Sequence, residues 1–198
     1  MTPKIPTVKQ CLAWIQQYEM LENIRNHSFL VARVAEALID GLRRTHKISQ
    51  LADRNLVIAG ALMHDIAKTQ CIKTGCNHAQ VGQQICIELG YAELGELVAE
   101  HVVLTHFTPE LYSAGIFGAK ELIYYADKRV RHDKIVPLSS RLSYILERYG
   151  CGDPHKEALI RKNFSLAVEL ESYLFNYLDF PENALVQQVN STAFYLRQ

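Results

Sequence analysis

His64 and Asp65 stand side by side at the end of an apolar run, Leu56 to Met63, and are followed by Ile66-Ala67-Lys68. An imidazole and a carboxylate set beside a core are tolerated when they are paired or bind a metal. Four more candidate ligands lie along the chain at His27, His78, His101 and Asp127. Histidine with carboxylate suits borderline and harder first-row cations, whereas a thiolate-rich set would suit zinc or iron-sulfur chemistry. Phosphoester hydrolysis needs a nucleophilic hydroxide at neutral pH and positive charge against the developing negative charge, and divalent metals supply both. The set therefore points to metal-dependent hydrolysis. Neighbouring helical residues project about 100° apart, so His64 and Asp65 can share a site only where the helix ends. There Asp65 could bridge two ions. Lys68 follows His64 by four residues and Asp65 by three, close enough to lean over the site and neutralise a phosphate oxygen, although its type and position also fit a surface lysine.

Those residues have to be positioned by helices, because helical periodicity recurs throughout and strand alternation is nearly absent. The fold class expected is all-α. Thr7 with Gln10 forms a capping-box pattern for a first helix through Trp14 and Tyr18. A second helix is expected over 24–46, with His27 on the apolar stripe of Val31, Val34 and Leu38. Ser49 is placed to cap a third helix that carries the His-Asp pair at its end, with Gly60 allowing close packing. Asn77 with Gln80 opens a helix from His78 to Leu89, stopped by Gly90, and another helix spans 91–104. The connection 105–118 is long enough for a functional loop. A helix over 119–131 puts Leu122, Ile123, Ala126 and Val130 on one face with Asp127 at its edge. Helices over 138–149 and from Asp153-Pro154 to Pro181 complete the pattern, and 182–198 is mixed in character with room for a short helix.

At 198 residues the chain fits one domain over 1–198. Its 21 basic and 21 acidic residues give no net field toward nucleic acid or an anionic membrane, so no stable nucleic-acid complex is expected. The segment 1–7 lacks the apolar stretch of a secretory signal, and the run 56–63 is too short to span a bilayer. No membrane association is expected, and a cytoplasmic location is. Five irregularly spaced cysteines read as reduced thiols rather than a disulfide framework. Cys71 and Cys76 with His78 have only loose zinc-knuckle spacing and no answering pair, and read as packing or loop residues.

The segments His27-x3-Val31-x3-Ala35, Gly60-Ala-Leu-Met-His64-Asp65-Ile-Ala-Lys68, Asn77-His78-Ala79-x2-Gly82, then His101, then Ile123-Tyr-Tyr-Ala126-Asp127 resemble the HD superfamily of metal-dependent phosphohydrolases. The resemblance runs over 24–133, leaving 134–198 as a C-terminal helical extension of an HD-domain helical bundle. His78 and His101 make the chain similar to the two-metal branch, in particular the HD-type symmetrical dinucleoside tetraphosphate hydrolases, which share a His-Ala-x-x-Gly segment and an Ala-Asp. The resemblance implies that His27, His64, Asp65 and Asp127 hold a first divalent ion and that Asp65, His78 and His101 hold a second. It implies one or two ions per chain, with Mn or Fe favoured and Zn, Ni or Mg admissible. Asp65 and Lys68 would be the catalytic residues, and the partner a small phosphorylated or nucleotide substrate. Two departures stand out: Asp-Ile-Ala replaces the usual Asp-Ile-Gly, and Val102 stands where the cyclic-dinucleotide phosphodiesterases have a second histidine. With no Gly-Tyr-Pro segment either, cyclic di-GMP is an unlikely substrate.

The function expected is hydrolysis of a nucleotide-like phosphoester or phosphoanhydride by a metal-activated water. The rival is a regulatory HD module that binds a nucleotide without turnover, and a third possibility is an oxygenase on the same scaffold. His78 and His101 could instead contact substrate phosphate. Lys128, Arg129 and Arg131 could extend an anion pocket, though three closely spaced cations cannot all face it. His106, Phe107, Tyr112 and Phe117 could stack on a nucleobase or anchor the 105–118 segment to the core. His46, His132 and His155 fall outside the pattern and read as surface residues.

Overall fold

Side-chain caps decide where four of the helices begin. In the computed structural model, which describes residues 4–191, the Thr7–Gln10 capping box opens α1 (Val8–Gln17). The long α2 spans Glu22–Arg44. Asp53, not Ser49, caps α3 (Arg54–Met63), its carboxylate accepting from the amides of Asn55 and Leu56. The correction has a physical reason: a carboxylate satisfies two orphan amides there, while Ser49 is drawn elsewhere and donates its hydroxyl to Ala114 O. A four-residue turn, 64–67, leads into α4 (Lys68–Thr74).

Asn77 caps α5 (His78–Glu88), and α6 follows at Ala92–Glu100. Within 105–118 lies α7 (Pro109–Ser113), before α8 (Ala119–Arg129). Then come α9 (Leu138–Ile145), a π-helical turn Leu146–Gly150, and α10 (Pro154–Tyr177), capped by Asp153 with Pro154 in its first turn. A 3-10 turn leads to α11 (Leu185–Ser191); the expectation for 192–198 lies outside the described residues. Two-residue strands only tie segments together: Gln50–Leu51 pairs parallel with Ile116–Phe117, and Val130–Arg131 pairs antiparallel with Lys134–Ile135. The all-α expectation holds, with α9, α10 and α11 added after the helices that carry the six candidate ligands.

The core is centred on α2, α3 and α8, each of which packs against the other two. Val31, Leu38, Leu62 and Leu122 are fully buried there, each such side chain contributing about 1.5–3 kcal/mol. Gly60 lets α3 approach α8 closely, because Ile123 occupies the space a side chain would need. On the far side, Phe164, Ala167, Leu170 and Leu174 form the buried stripe of α10 that closes over α8 and α9. Among the described residues no helix is long and apolar enough to cross a membrane.

The cysteines depart from expectation. Cys71 and Cys76 are joined by a disulfide, while Cys11, Cys86 and Cys151 are free. Gly75 ends α4 in the left-handed region at φ 75°, a conformation glycine adopts without strain. That turn brings the two cysteine Cα atoms within 4.7 Å.

Candidate metal centre

Five of the six predicted ligands lie at or near helix ends, and the sixth, His27, reaches them from within α2. His64 and Asp65 lie in the turn that terminates α3, His78 is the first residue of α5, and His101 directly follows α6. Asp127 is near the end of α8, and His27 reaches in from the N-terminal part of α2. All but the half-buried His78 are buried. Nε2 of His27 lies 2.9 Å from Asp127 Oδ1, and Nε2 of His64 lies 3.8 Å from the same oxygen. Nε2 of His64 is also 3.4 Å from Asp65 Oδ2. Asp65 Oδ1 faces Nε2 of His78 at 3.4 Å and of His101 at 3.6 Å. Two groups have ligand atoms all within 4.8 Å of one another: His27, His64 and Asp65, and Asp65, His78 and His101. Asp65 belongs to both.

Backbone carbonyls fix the tautomers. Nδ1 of His64 is 2.7 Å from Ala61 O, and Nδ1 of His101 is 2.6 Å from Val98 O. A carbonyl only accepts, so Nδ1 carries a proton in both rings, and in the neutral imidazole each Nε2 turns a lone pair toward Asp65. Lone pairs then face a carboxylate. His64 Nε2 and Asp65 Oδ1 are buried without any hydrogen-bond partner, an arrangement that costs on the order of 1–3 kcal/mol per atom unless something positive lies between them. The donor set and its orphaned acceptors fit a divalent cation.

The HD domain family matches the chain over residues 24–143. This chain belongs to the HD family. It is 28% identical over 147 residues to a tRNA (cytidine(56)-2'-O)-methyltransferase of Thermoplasma volcanium, an overlap that covers 67% of this chain and 40% of that protein. The chain thus spans less than half the length of the curated relative it matches. No solved structure matches it.

Electrostatics in this HD centre keep most of the donor atoms available. Burial lowers the pKa of His27 and His101 and takes His78 from its ordinary 6.5 to about 4. Burial alone would raise the Asp65 carboxyl, but Lys68 and His64 outweigh it and hold it well below the usual carboxylate range. Asp127 is likewise pushed up by burial and pulled further down by Lys128, His27 and Arg141. His64 differs: burial opposes its protonation, yet Asp65 prevails and raises its pKa.

The three basic residues after Asp127 separate. Lys128 turns inward and donates to His101 O and Asp127 Oδ2, both at 3.0 Å. Arg129 turns to the opposite side and pairs with Glu171, and Arg131 is exposed over the Tyr144 ring. Lys68 donates to Asp65 Oδ2 at 2.7 Å and keeps 28% of its side chain exposed.

Phe107, Tyr112 and Phe117 of 105–118 serve as anchors, while His106 is exposed. Tyr112 and Phe117 are buried and stacked at 5.8 Å, and Tyr112 donates to Glu121. His46, His132 and His155 are exposed as expected.

Beside the centre lies a cavity of about 430 Å³ that Lys68, His78, His101, Asp127 and Lys128 line. Sequence reasoning missed its other wall, which includes Arg141, Ile145, Tyr149 and Phe164. One signal was available: Arg141 interrupts the apolar stripe of Leu138, Leu142 and Ile145, a position where a cation needs a reason.

Proposed function

We propose that this HD-family chain is a metal-dependent phosphohydrolase. The observation that carries the reading is the pair of orphaned acceptors, His64 Nε2 and Asp65 Oδ1, at the junction of two ligand groups. His27, His64, Asp65 and Asp127 would hold one divalent ion, and Asp65, His78 and His101 a second. Mixed imidazole and carboxylate ligation favours Mn or Fe, with Zn, Ni or Mg admissible. When bound, such ions supply an activated water and positive charge beside the phosphoryl group.

The chain's own residues do the rest. Asp65 links the two ligand groups while Lys68, anchored on its Oδ2, directs an ammonium toward a phosphoryl oxygen at the cavity edge. The Nδ1 bonds of His64 and His101 lock their rings in place, the orientation that preorganises a site. In the overall reaction a water oxygen bonds to phosphorus, the bond from phosphorus to the leaving oxygen breaks, and that oxygen takes up a proton. The substrate class is a nucleotide-like phosphoester or phosphoanhydride, and the ligand pattern favours the two-metal branch resembling the symmetrical dinucleoside tetraphosphate hydrolases. We further infer one domain working in the cytoplasm on a small molecule, apart from membranes and stable nucleic-acid complexes. The methyltransferase activity in the relative's name belongs to a protein of which this chain covers 40%, and the metal constellation gives no support to methyl transfer here.

The test is metal analysis of the purified protein followed by a panel of phosphorylated small molecules with each metal. Bound metal with phosphate release supports the reading. Metal-dependent stabilisation by a nucleotide with no turnover would instead make the chain a regulatory HD module.

A further inference from the structure

Among the described residues that line the cavity, three are cations, and two of them are already engaged. Lys68 is bonded to Asp65, and Lys128 to His101 O and Asp127. Arg141 differs. Its side chain is 9% exposed, and its Nη2 stands 3.6 Å from Asp127 Oδ1, beyond a good hydrogen bond. Its Nε is buried with no hydrogen-bond partner. A guanidinium held against the centre with an open edge offers the fork of donors that a phosphoryl oxygen fits.

Away from Arg141 the cavity turns apolar. Ile145 and Tyr149 line it from α9 and the π-helical turn, and Leu159, Ile160 and Phe164 from α10. Ile72, Leu159 and Tyr149 are large apolar side chains left 64%, 55% and 51% exposed on this one cavity. Such a concentration marks a binding surface rather than core. The polar side chain on that wall is occupied: Asn163 donates to Val102 O and accepts from the Tyr124 hydroxyl, both at 2.9 Å. A string of phosphates would need cations along the wall, and the described lining has none beyond the three at the centre. The volume of about 430 Å³ also lies toward the small end of ligand pockets, which run from about 300 to 1,000 Å³.

We propose that the cavity selects phosphomonoesters with an uncharged apolar body, Arg141 holding a phosphoryl oxygen and the wall of Tyr149 and α10 covering an alkyl or aryl group. The inference rests on the phosphohydrolase reading and replaces its nucleotide-like substrate, a dinucleoside tetraphosphate included, with a smaller apolar phosphomonoester.

The experiment titrates the metal-loaded full chain by calorimetry with alkylphosphonates, methyl through hexyl, and with phenylphosphonate, all inert to hydrolysis. Affinity should rise about two- to fourfold per added methylene, as expected for partly buried apolar groups. Arg141→Ala should weaken every phosphonate by roughly ten- to a hundredfold, the range for losing a charge-assisted hydrogen bond, with metal content unchanged. Tyr149→Ala combined with Leu159→Gln changes only exposed positions, so the fold should survive. It should flatten the chain-length dependence while methylphosphonate binds as before.

Equal affinity for methyl- and hexylphosphonate overturns the proposal. So does a length dependence that persists in the double variant, or a kcat/KM for adenosine monophosphate above those for hexyl and phenyl phosphate. Length-dependent phosphonate binding with no turnover of any phosphoester would sink the hydrolase reading and leave the apolar-body preference standing. Turnover with a flat length profile would do the reverse.

Discussion

Two buried polar clusters sit on opposite faces of α8, around Asp127 and Arg129, two residues apart in sequence, and they are built on different rules. On one face Arg129 uses its whole guanidinium: Nε donates to Val136 O at 2.9 Å, Nη1 to Glu171 at 2.9 Å and to the Tyr125 hydroxyl, and Nη2 to Glu182 O at 3.3 Å. Every charge has a partner, and the cluster ties α8 to α10 and to the turn before α11. On the other face Asp127 joins a group in which the neutral His64 and His101 rings turn lone pairs toward Asp65 and two buried atoms have no partner. A self-satisfied network locks a fold, whereas one that ends in facing acceptors is complete only with a cation. The difference separates structure from function on a single helix.

The comparison breaks most strongly at Asp65, the residue shared by both ligand groups. Asp65→Ala should abolish metal retention and reduce turnover by at least about a thousandfold, beyond the roughly 10²–10³ lost with a single stabilising donor. The melting temperature of the metal-loaded protein should drop as well, because a cation that binds only the folded chain stabilises it. Elemental analysis showing unchanged metal in Asp65→Ala would sink the site assignment.

Next in size is Lys68, which touches the cluster through Asp65 but has no lone pair to offer a metal while it is charged. Lys68→Ala should keep its metals and lose roughly ten- to a thousandfold in rate. Lys68→Arg need not restore it, since the planar guanidinium places its charge differently. Turnover at the wild-type rate in metal-replete Lys68→Ala would show this to be a surface lysine that happens to sit nearby.

The closed cluster should respond in the opposite sense. Glu171→Ala leaves the Arg129 guanidinium, with only 6% of its side chain exposed, short of its carboxylate, and should cost about 3 kcal/mol of unfolding free energy. Metal content should not change. Urea denaturation and elemental analysis of one preparation check both halves, and loss of metal in Glu171→Ala would mean that the two faces of α8 are not separable.

How much of this was legible in the sequence follows from what each feature depends on. The clustering of these side chains could be read because each lies at a helix end or on a stripe fixed by local spacing: His27 with Val31 and Val34, His64 and Asp65 after an apolar run, His78 behind the Asn77 cap. The close approach at Gly60 was legible for the same reason. Ser49 misled because a good capping residue is only as good as its rivals, and Asp53 was the better cap four residues later. Arg141, Tyr149 and Leu159 were not assigned because they reach the cavity only after α10 folds back across α8 and α9, a tertiary event without local periodicity. The Cys71–Cys76 bridge depended on a left-handed turn at Gly75, where glycine permits that turn without demanding it. The same loss of locality explains why the 105–118 aromatics could be read either as base-stacking groups or as anchors until Glu121 and Tyr112 were seen to pair.

The smallest effect expected is also the sharpest probe of the difference between the clusters, because only one of them contains imidazoles. In metal-free protein the fold holds His78 neutral down to about 4, chiefly through burial, while the unfolded chain protonates it near the ordinary 6.5. Between those values the unfolded chain binds more protons, so stability must fall as the pH falls, and above 6.5 His78 contributes nothing. His27 and His101, also lowered by burial, act in the same direction. Asp65 and Asp127, held low, add their losses only as the pH drops below the ordinary 3.8. His64 opposes the trend: its raised pKa gives stability that is present below 6.5 and lost as the pH rises through its folded value. Because His78 keeps 27% of its side chain exposed, its own share should be about 1–2 kcal/mol rather than the full value of its shift. Urea titrations of chelator-treated protein from pH 7.5 to 4.5 should therefore show a decline that His78→Gln makes shallower and Glu171→Ala leaves parallel to wild type. Restoring the metal should move the decline to lower pH, since cation and proton compete for the same lone pairs. A chelator-treated wild type whose stability is flat or rises on acidification would mean that these imidazoles are not held neutral by the fold, and the contrast between the two faces of α8 would lose its electrostatic basis.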